Sequence, residues 1–217
     1  MVSPEHLRLR VDAATYTGWV TSTPAVVVPP DFRPAAMRPL RLHRGDSPLP
    51  SGLAPALAVH AVADVTVTVR IVDGDLRIVT SVSTTHAIAS SLARVGRLLP
   101  DGPFHDSFVE IALLPGEDAV DEVLRWVPAE PAPAAAAALA GEPAVLEVEV
   151  VAADDAVWTW REEWAGSGSR WTVREGGGLP GAGLTDTRDP EHLRASLTAV
   201  LDGRRTGRAR PGRVRAR

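Results

Sequence analysis

Histidine is the residue type in this sequence with the most ways to do chemistry, as a metal ligand or as a general base. No two histidines have the close spacing at which one helix presents a pair of ligands to a metal ion. His86 follows Thr84 and Thr85, and an imidazole beside a hydroxyl is one way to activate a nucleophile. A loop or helix-cap role explains these residues more simply, so we expect no catalytic site, no metal site and no cofactor. The histidines are His6, His43, His60, His86, His105 and His192.

Neighbouring carboxylates are a second set with catalytic potential, because a pair in a cleft can act as acid and base. Glu162 and Glu163 lie in a segment with strand alternation, and Asp154 and Asp155 lie in a turn before it. Charged side chains on an exposed strand face or in a turn are normally solvated. The sequence therefore predicts surface carboxylates rather than an acid–base pair.

The glycine-rich run Gly176 to Gly183 resembles a phosphate-binding loop only in composition. It lacks the Gly-Lys-Ser/Thr that binds phosphate, the chain contains no lysine, and no helix begins at the last glycine. We expect a loop that joins a strand to a helix.

Four of the six tryptophans lie in residues 144–175, where period-two alternation predicts three antiparallel strands. If Gly166 to Ser169 form the loop, Trp164 lies opposite Trp171. Trp158, Trp160, Trp164, Trp171 and Val173 then share one face. This face is either an aromatic platform for a partner or a core face under the last helix. The candidate partner-binding residues are Trp164, Trp171, Gly176, Gly177, Gly178 and Leu179.

Charge is unevenly distributed along the chain. Residues 203–217 contain seven arginines and no acidic residue, whereas the whole chain has a formal net charge of −4. A basic tail can bind nucleic acid, but no aromatic residue lies among these arginines to stack on bases. We therefore interpret 203–217 as a disordered, solubilising tail and expect no nucleic-acid partner.

The compartment is suggested by what the sequence lacks. The chain has no cysteine, which excludes disulfides and fits a reducing cytosol. No basic region followed by an apolar run opens the sequence, so we expect no signal peptide. No apolar stretch reaches the roughly 18 residues of a membrane span. We expect a cytoplasmic protein.

Alternation also predicts a hairpin in the first part of the chain. Val65–Val72 returns as Leu76–Val82 through the turn Asp73-Gly74-Asp75. Residues 84–99 place apolar side chains at helical spacing and predict a helix, with a third strand as the alternative. A strand over 108–114 and a helix over 116–127, ended by Pro128, complete this part.

The last helix is predicted by its cap. Asp189 suits the N-cap, Pro190 suits the first helical position, and Gly203 suits the stop. The residues expected to face inward are Leu193, Leu197, Val200 and Leu201.

These elements divide the chain into five segments. Eight prolines between positions 21 and 55 predict an extended segment over 1–55, apart from a short strand near 6–11. Strands followed by a helix, twice, without βαβ alternation, predict an α+β fold with antiparallel sheet. The other segments are a first β–α half (56–128), an Ala/Pro linker (129–143), a second, Trp-rich β–α half (144–202) and the tail (203–217).

In this pattern of halves, over about residues 55–202, the chain resembles the EspG family of type VII (ESX) secretion-associated proteins from actinobacteria. The resemblance is carried by the strand Asp64–Val72, the strand–helix–proline run Val109–Pro128 and the helix Leu193–Leu201. It implies a quasi-twofold α+β fold with a central antiparallel sheet. It also implies a cytosolic, non-enzymatic chaperone that holds the tip of a helical secretion substrate. The chain is short, and its proline-rich front stands where the family has helices.

Two functions follow as expectations. The first is a non-catalytic specificity chaperone for a helical secreted protein, PE/PPE-like or WXG100-like, with homodimerisation through a sheet edge left open. The alternative is a small ligand-binding domain or enzyme with a pocket between the halves, to which His86 would contribute.

Overall fold

The structure is a computed structural model, and no helix among the residues that it describes is long and apolar enough to cross a membrane. The described residues are 7–22, 27–33, 53–85, 87–98, 104–131, 144–152, 158–167, 169–176 and 187–205.

The described strands form one nine-stranded sheet in which every neighbouring pair is antiparallel, with the order β1-β5-β4-β3-β2-β6-β7-β8-β9. Helices pack on the sheet, so the predicted α+β class is confirmed. The strands are β1 (Leu7–Val11), β2 (Val65–Asp73), β3 (Leu76–Thr84), β4 (Ile88–Leu98), β5 (Phe104–Pro115), β6 (Val145–Ala152), β7 (Trp158–Ser167), β8 (Arg170–Gly176) and β9 (Thr187–Arg188).

Four α-helices are found in the described residues, together with short 3-10 turns at Pro30–Phe32 and Gly116–Asp118. The second 3-10 turn leads directly into α3, so the helix predicted over 116–127 is shorter than expected. The α-helices are α1 (Ala13–Ser22), α2 (Leu53–Val62), α3 (Ala119–Leu124) and α4 (Pro190–Arg205).

Two units of the same design meet at the centre of the sheet. Strands β2 to β5 run as an antiparallel meander and lead to α3, and β6 to β9 do the same and lead to α4. The units join where β2 pairs with β6, from Val65 opposite Ala152 to Val72 opposite Val145. The strand order places β3, β4 and β5 on one side of this pair and β7, β8 and β9 on the other, so the two meanders extend in opposite directions from it. Helices α3 and α4 lie on the same face of the sheet and contact each other.

The face under α3 and α4 holds the larger core. Alternate residues of the two central strands point into it, including Val67 and Val69 of β2 and Val148 and Val150 of β6. Asp189 caps α4 as predicted, accepting a hydrogen bond from the backbone N–H of His192 at 2.9 Å. The four α4 residues predicted to face inward are all buried: Leu193, Leu197, Val200 and Leu201.

The opposite face carries a second core beneath α1 and α2. Leu92 of β4 and Ile111 of β5 contribute from the sheet, and Phe32 contributes from the first 3-10 turn. The Tyr16 hydroxyl donates a hydrogen bond to the backbone oxygen of Phe32 at 3.3 Å, which ties α1 to that turn. This core covers the β3–β5 side of the sheet, since α1 contacts β5, and α2 contacts β3, β4 and β5.

The segment predicted as a helix over 84–99 is instead the strand β4, the alternative interpretation. Both faces of β4 are covered, so Ala89 and Ala93 are buried on one side and Ser90 and Leu92 on the other. A strand buried on both faces loses the alternation that identifies a strand. The helical spacing of its larger apolar residues was therefore misleading.

The prediction of an extended segment over 1–55 is wrong for residues 13–22, which form α1. Asp12 caps this helix: it accepts hydrogen bonds from the backbone N–H of Thr15 at 2.9 Å and from the Thr15 hydroxyl at 2.6 Å. Tyr16 and Trp19, one turn apart, are its buried residues. At the other end, α4 continues to Arg205, so Gly203 does not stop it.

The β7–β8 hairpin is tighter than predicted. Ser167 lies opposite Arg170, which places Trp164 opposite Val173 and Trp171 opposite Gly166. Over Trp164–Ser167 the shift from the predicted register is two residues, and an even shift leaves these side chains on their original faces. The predicted grouping of Trp164 with Trp171 and Val173 is therefore kept.

Candidate functional site

The two tryptophans expected to contact a partner, Trp164 and Trp171, both lie inside the protein. Each has an exposed fraction of 0% and belongs to the core between the sheet and α4. Trp171 Nε1 also donates a hydrogen bond to the backbone oxygen of Pro128 at 3.2 Å. A buried indole cannot reach a partner unless the core opens, which corrects the expectation of direct contact. The core interpretation holds for both residues.

The glycine-rich run begins at one end of the sheet. Gly176 is the last residue of β8 and lies opposite Glu162 of β7. Gly177, Gly178 and Leu179, also predicted to contact a partner, lie outside the described residues. The run leads to β9, the outermost described strand on the side of the sheet away from β1.

Glu162, predicted as a solvated carboxylate, is instead buried on the tryptophan face of β7. It accepts a hydrogen bond from Arg188 Nε at 2.8 Å, and both side chains are almost excluded from solvent. Glu163, the next residue, points to the opposite face and pairs with exposed Arg174 at 3.2 Å. Asp154 and Asp155 lie outside the described residues. The two neighbouring glutamates therefore do not form an acid–base pair.

His60 of α2 is packed into a polar cluster with hydroxyls of β2, β3 and β4. Its Nδ1 lies 2.7 Å from the Ser83 hydroxyl of β3, and its Nε2 lies 3.2 Å from the Ser90 hydroxyl of β4. Ser83 Oγ is also 2.9 Å from Thr66 Oγ1. Burial lowers the pKa of His60 to about 4, so its imidazole is neutral at physiological pH.

An imidazole beside a serine hydroxyl has the composition of a nucleophile and its base, but the surroundings of His60 do not suit that chemistry. Ser83 and Ser90 are buried, and the second ring nitrogen contacts a hydroxyl instead of the carboxylate that orients a catalytic imidazole. The cluster instead attaches α2 to β3 and β4, with both ring nitrogens hydrogen-bonded. His86, named in the alternative function, lies outside the described residues.

A network of three arginines and two glutamates fastens β1 and α3 to β5. Arg8 contacts Glu110 at 2.6 Å and Glu122 at 2.7 Å, and Arg10 contacts Glu110 at 2.8 Å. Arg125 pairs with both glutamates. Burial alone would raise the pKa of Glu110 and of Glu122, but the hydrogen bonds and charges of these arginines outweigh it and lower both. The two buried carboxylates therefore remain ionised.

A second network lies on the opposite face, where the two units meet. Arg70 of β2 contacts Asp31 at 2.7 Å, Glu147 at 2.6 Å and Glu149 at 3.2 Å. Arg161 of β7 contacts Glu147 from the other side at 3.0 Å. Arg70 thereby links the 3-10 turn of the proline-rich segment to β6. These partners stabilise the protonated guanidinium, and the pKa of Arg70 is raised against the effect of burial.

A shallow cleft lies between α3 of the first unit and α4 of the second. Its volume is about 140 Å³, below the range of roughly 300–1,000 Å³ typical of small-molecule pockets. Arg194 of α4 crosses it to pair with Asp121 of α3. The cleft is lined by Glu117, Val120, Asp121, Arg194, Thr198, Leu201 and Asp202.

Two buried glutamates were missed from the sequence although a signal for each is present. Glu162 has the same parity as Trp160 and Trp164, and Glu110 has the same parity as Ala112 and Leu114. In an alternating strand, equal parity means the same face. A charged residue at an inward position predicts a buried partner of opposite charge. The partners themselves, Arg188 and the Arg8 group, are distant in sequence.

In the part of the chain that the structure describes, no group of three or more His, Cys, Asp or Glu side chains could hold a metal ion. The sequence matches no family model and no curated protein.

Proposed function

We propose that this protein is a non-catalytic specificity chaperone that holds a helical secreted polypeptide of the type VII kind, as its resemblance to the EspG family implies. The observation that supports the proposal is the topology. Two meanders of four strands, each followed by a helix on the same face, meet at the β2/β6 pair. A quasi-twofold body of this kind with a central antiparallel sheet is what the resemblance implies.

The internal chemistry of the protein is consistent with a scaffold. Glu162 is engaged by Arg188, and Glu110 and Glu122 by three arginines. The hydrogen-bonded ring nitrogens of His60 join α2 to the sheet. These polar groups hold elements in place, and a rigid body presents a binding surface with little loss of conformational entropy on association.

The partner is proposed to bind at the glycine-rich run, at the end of the sheet formed by β8 and β9. A helical partner presents apolar side chains one turn apart, and Leu179 supplies an apolar contact among the glycines. Trp164 and Trp171 contribute to binding only indirectly. Their buried rings hold the β7–β8 hairpin in place, and the glycine-rich run follows this hairpin in the sequence. Such a chaperone acts in the cytoplasm, before its client is exported.

Co-production tests the proposal directly. The full chain would be produced together with each small helical type VII substrate, PE/PPE-like or WXG100-like, encoded in the same genome. We expect a complex with one of them, with its composition measured by size-exclusion chromatography with light scattering. Failure of every substrate to bind at tens of micromolar would contradict the proposed function. The same measurement on the chain alone shows whether it forms a homodimer.

A charge substitution tests the location of the binding surface. Leu179→Asp is expected to weaken the complex at least about tenfold, or about 1.4 kcal/mol, because it places a charge in an apolar contact. The matched control is Val62→Asp at the end of α2, where the native side chain is 67% exposed. If both variants bind the partner with equal affinity, the partner does not bind at Leu179. That result would contradict the proposed location of the binding surface but not the chaperone function.

A further inference from the structure

Strand β1 forms one edge of the sheet. It pairs with β5 on one side, from Leu7 opposite Leu113 to Val11 opposite Val109, and has no strand neighbour on its other side among the described residues. β9, at the opposite edge, has only two residues. The backbone N–H and C=O groups on the free side of an edge strand are able to pair with another extended chain. β1 is therefore the described edge that is long enough to receive an added strand.

The two faces of β1 differ in character. Leu9 and Val11 pack on the core beneath α1 and α2, and Leu7, on the same face, is 37% exposed. Arg8 and Arg10 point to the opposite face, where β5 and α3 supply their carboxylate partners. The side chains of an added strand take the same faces as the residues opposite them. Its residues would therefore lie alternately beside an aliphatic side chain and beside an arginine.

The arginine face of this edge carries an excess of positive charge. The guanidiniums of Arg8, Arg10 and Arg125 share the two carboxylates of Glu110 and Glu122, which leaves one positive charge in excess. Arg10 is the most exposed of the three, at 58%. Its Nε and Nη2 donate to Glu110, and its Nη1 has no hydrogen-bond partner in the described part of the chain. A carboxylate opposite Arg10 would accept a charge-assisted hydrogen bond from it.

The sheet already contains a strand of the kind that suits such an edge. β6 alternates apolar residues, which point into the larger core, with Glu147 and Glu149 on the opposite face. Glu147 lies opposite Arg70 of β2, and the two charged groups are 2.6 Å apart. An antiparallel strand that alternates apolar and acidic residues is therefore accepted beside an arginine-bearing strand in this protein.

A second copy of this chain suits the edge less well. An antiparallel β1–β1 pair that continues the sheet has a twofold axis perpendicular to it, and this axis keeps each residue of both copies on its own face. In every register that overlaps most of the strand, an arginine of one copy then lies opposite an arginine of the other. Like charges that lie directly opposite each other destabilise a sheet. Arg8 and Arg10 thus oppose self-pairing and favour an acidic strand.

We propose that the free edge of β1 binds an extended polypeptide segment that alternates acidic and apolar residues and joins the sheet as a further antiparallel strand. Its acidic residues lie opposite Arg8 and Arg10, and its apolar residues lie opposite Leu7, Leu9 and Val11. Backbone hydrogen bonds give such strand addition its affinity, and the side-chain pairs give it selectivity. This edge is at the other end of the sheet from β8 and β9, so the inference does not depend on the proposed chaperone function.

Synthetic peptides test the proposal on the full chain by fluorescence anisotropy. The probe is a labelled peptide with the core Leu-Glu-Val-Glu-Val, the alternation of β6, and the matched peptide has Gln in place of each Glu. We expect the Glu peptide to bind at least about fivefold more tightly at low salt, or about 1 kcal/mol. This preference should shrink in roughly 0.5 M salt. Equal affinities of the two peptides, or no detectable binding of the Glu peptide, would overturn the proposal.

Charge variants of the protein locate the binding. Arg10→Gln should remove most of the preference for the Glu peptide, because it removes the exposed guanidinium of the edge. Arg97→Gln is the matched control at an exposed arginine of β4 and should keep the preference unchanged. A preference that survives Arg10→Gln would place the peptide elsewhere and contradict the proposal.

Methylated peptides test strand addition without changing the protein. In an antiparallel pair, only alternate residues of a strand exchange hydrogen bonds with the neighbouring strand. N-methylation of the Glu peptide at one set of alternate residues should therefore abolish binding, whereas N-methylation at the other set should preserve it. Loss of binding with both sets, or with neither, would exclude strand addition.

Light scattering of the chain alone, over a range of concentrations, tests the competing occupant. We expect no dimer that the Glu peptide dissociates. A dimer that the Glu peptide does dissociate would place a second copy on the β1 edge and would overturn the assignment of this edge to an acidic segment.

Discussion

Glu162 and Arg188 join the inner part of the sheet to its outermost strand by one buried ion pair. Arg188 Nε donates to Glu162 Oε1 at 2.8 Å, and the two side chains are 5% and 0% exposed. Arg188 belongs to β9, which pairs with β8 through only two residues. The ion pair therefore connects β9, and the start of α4 immediately after it, to β7.

Removing one partner of this pair should be costly. Glu162→Gln removes the charge of the buried carboxylate that Arg188 contacts, and we expect the free energy of unfolding to fall by about 3 kcal/mol. Urea denaturation followed by tryptophan fluorescence measures the change. The control is Arg174→Gln, which breaks the more exposed Glu163 pair and should cost no more than about 1 kcal/mol. Similar losses of unfolding free energy for both variants would show that the buried Glu162–Arg188 pair stabilises the protein no more than the exposed Glu163–Arg174 pair does.

Gly166 should not accept even one methyl group. A Cβ at this position would lie 2.8 Å from Pro131 Cβ and 3.0 Å from Ala144 Cβ. Gly166→Ala should therefore lower the free energy of unfolding by roughly 1–3 kcal/mol. Gly18→Ala is the matched control, because a Cβ there meets no atom within 4 Å. It lies in α1 and should gain about 0.5–1 kcal/mol. Thermal melts of the two variants should shift in opposite directions.

The network at Glu110 should behave as a unit. Glu110→Gln removes the carboxylate that Arg8, Arg10 and Arg125 share. We expect a loss of about 3 kcal/mol in denaturant unfolding, because Arg8 and Arg125 then share the single charge of Glu122 and Arg10 loses the charge of the carboxylate that it contacts. Asp75→Asn breaks the exposed Asp75–Arg97 pair and should cost at most about 1 kcal/mol. A loss for Glu110→Gln no larger than this would argue against cooperative action of the network.

His60 should make the protein less stable in mild acid. Its pKa is lowered to about 4 by burial, whereas an unfolded histidine titrates near 6.5. The unfolded chain therefore binds more protons than the folded one as the pH falls from about 6.5 towards 4, and stability falls with it. The full loss would approach roughly 3 kcal/mol.

His60→Gln provides the test of this pH dependence. Between pH about 6.5 and 5.5, where carboxylates have barely begun to titrate, the variant should show a smaller slope of unfolding free energy against pH than the native chain. An unchanged slope in His60→Gln would mean that the imidazole is not protected from protonation.

Turns and helix caps could be predicted from the sequence, because a few neighbouring residues determine their conformation. The Asp73-Gly74-Asp75 turn was predicted correctly because Gly74 supplies the positive φ, here 60°, that a two-residue hairpin turn requires. The cap at Asp189 likewise identified the start of α4. The pairing of β2 with β6 was not predicted, since no local pattern shows which edges of two hairpins meet.

The sequence was misleading for a strand that is covered on both faces of the sheet. Strand β4 is covered on both faces, so Ser90 and Leu92 are as buried as Ala89 and Ala93, and alternation disappears. The exposure of the candidate site residues also depends on elements that are distant in sequence. Exposure of Trp164 could not be decided from β7 alone, because α4, distant in sequence, covers it.

The β2/β6 junction also makes the chain divisible. Residues 1–131 hold β1 to β5 with α3, and residues 144–217 hold β6 to β9 with α4, so a cut within 132–143 interrupts no described element. Each fragment alone would expose the backbone edge of a central strand, which promotes aggregation. Produced together, the two fragments should reassemble along that edge, and the protein would serve as a split reporter whose signal depends on the β2–β6 pairing and on the core that the two units share.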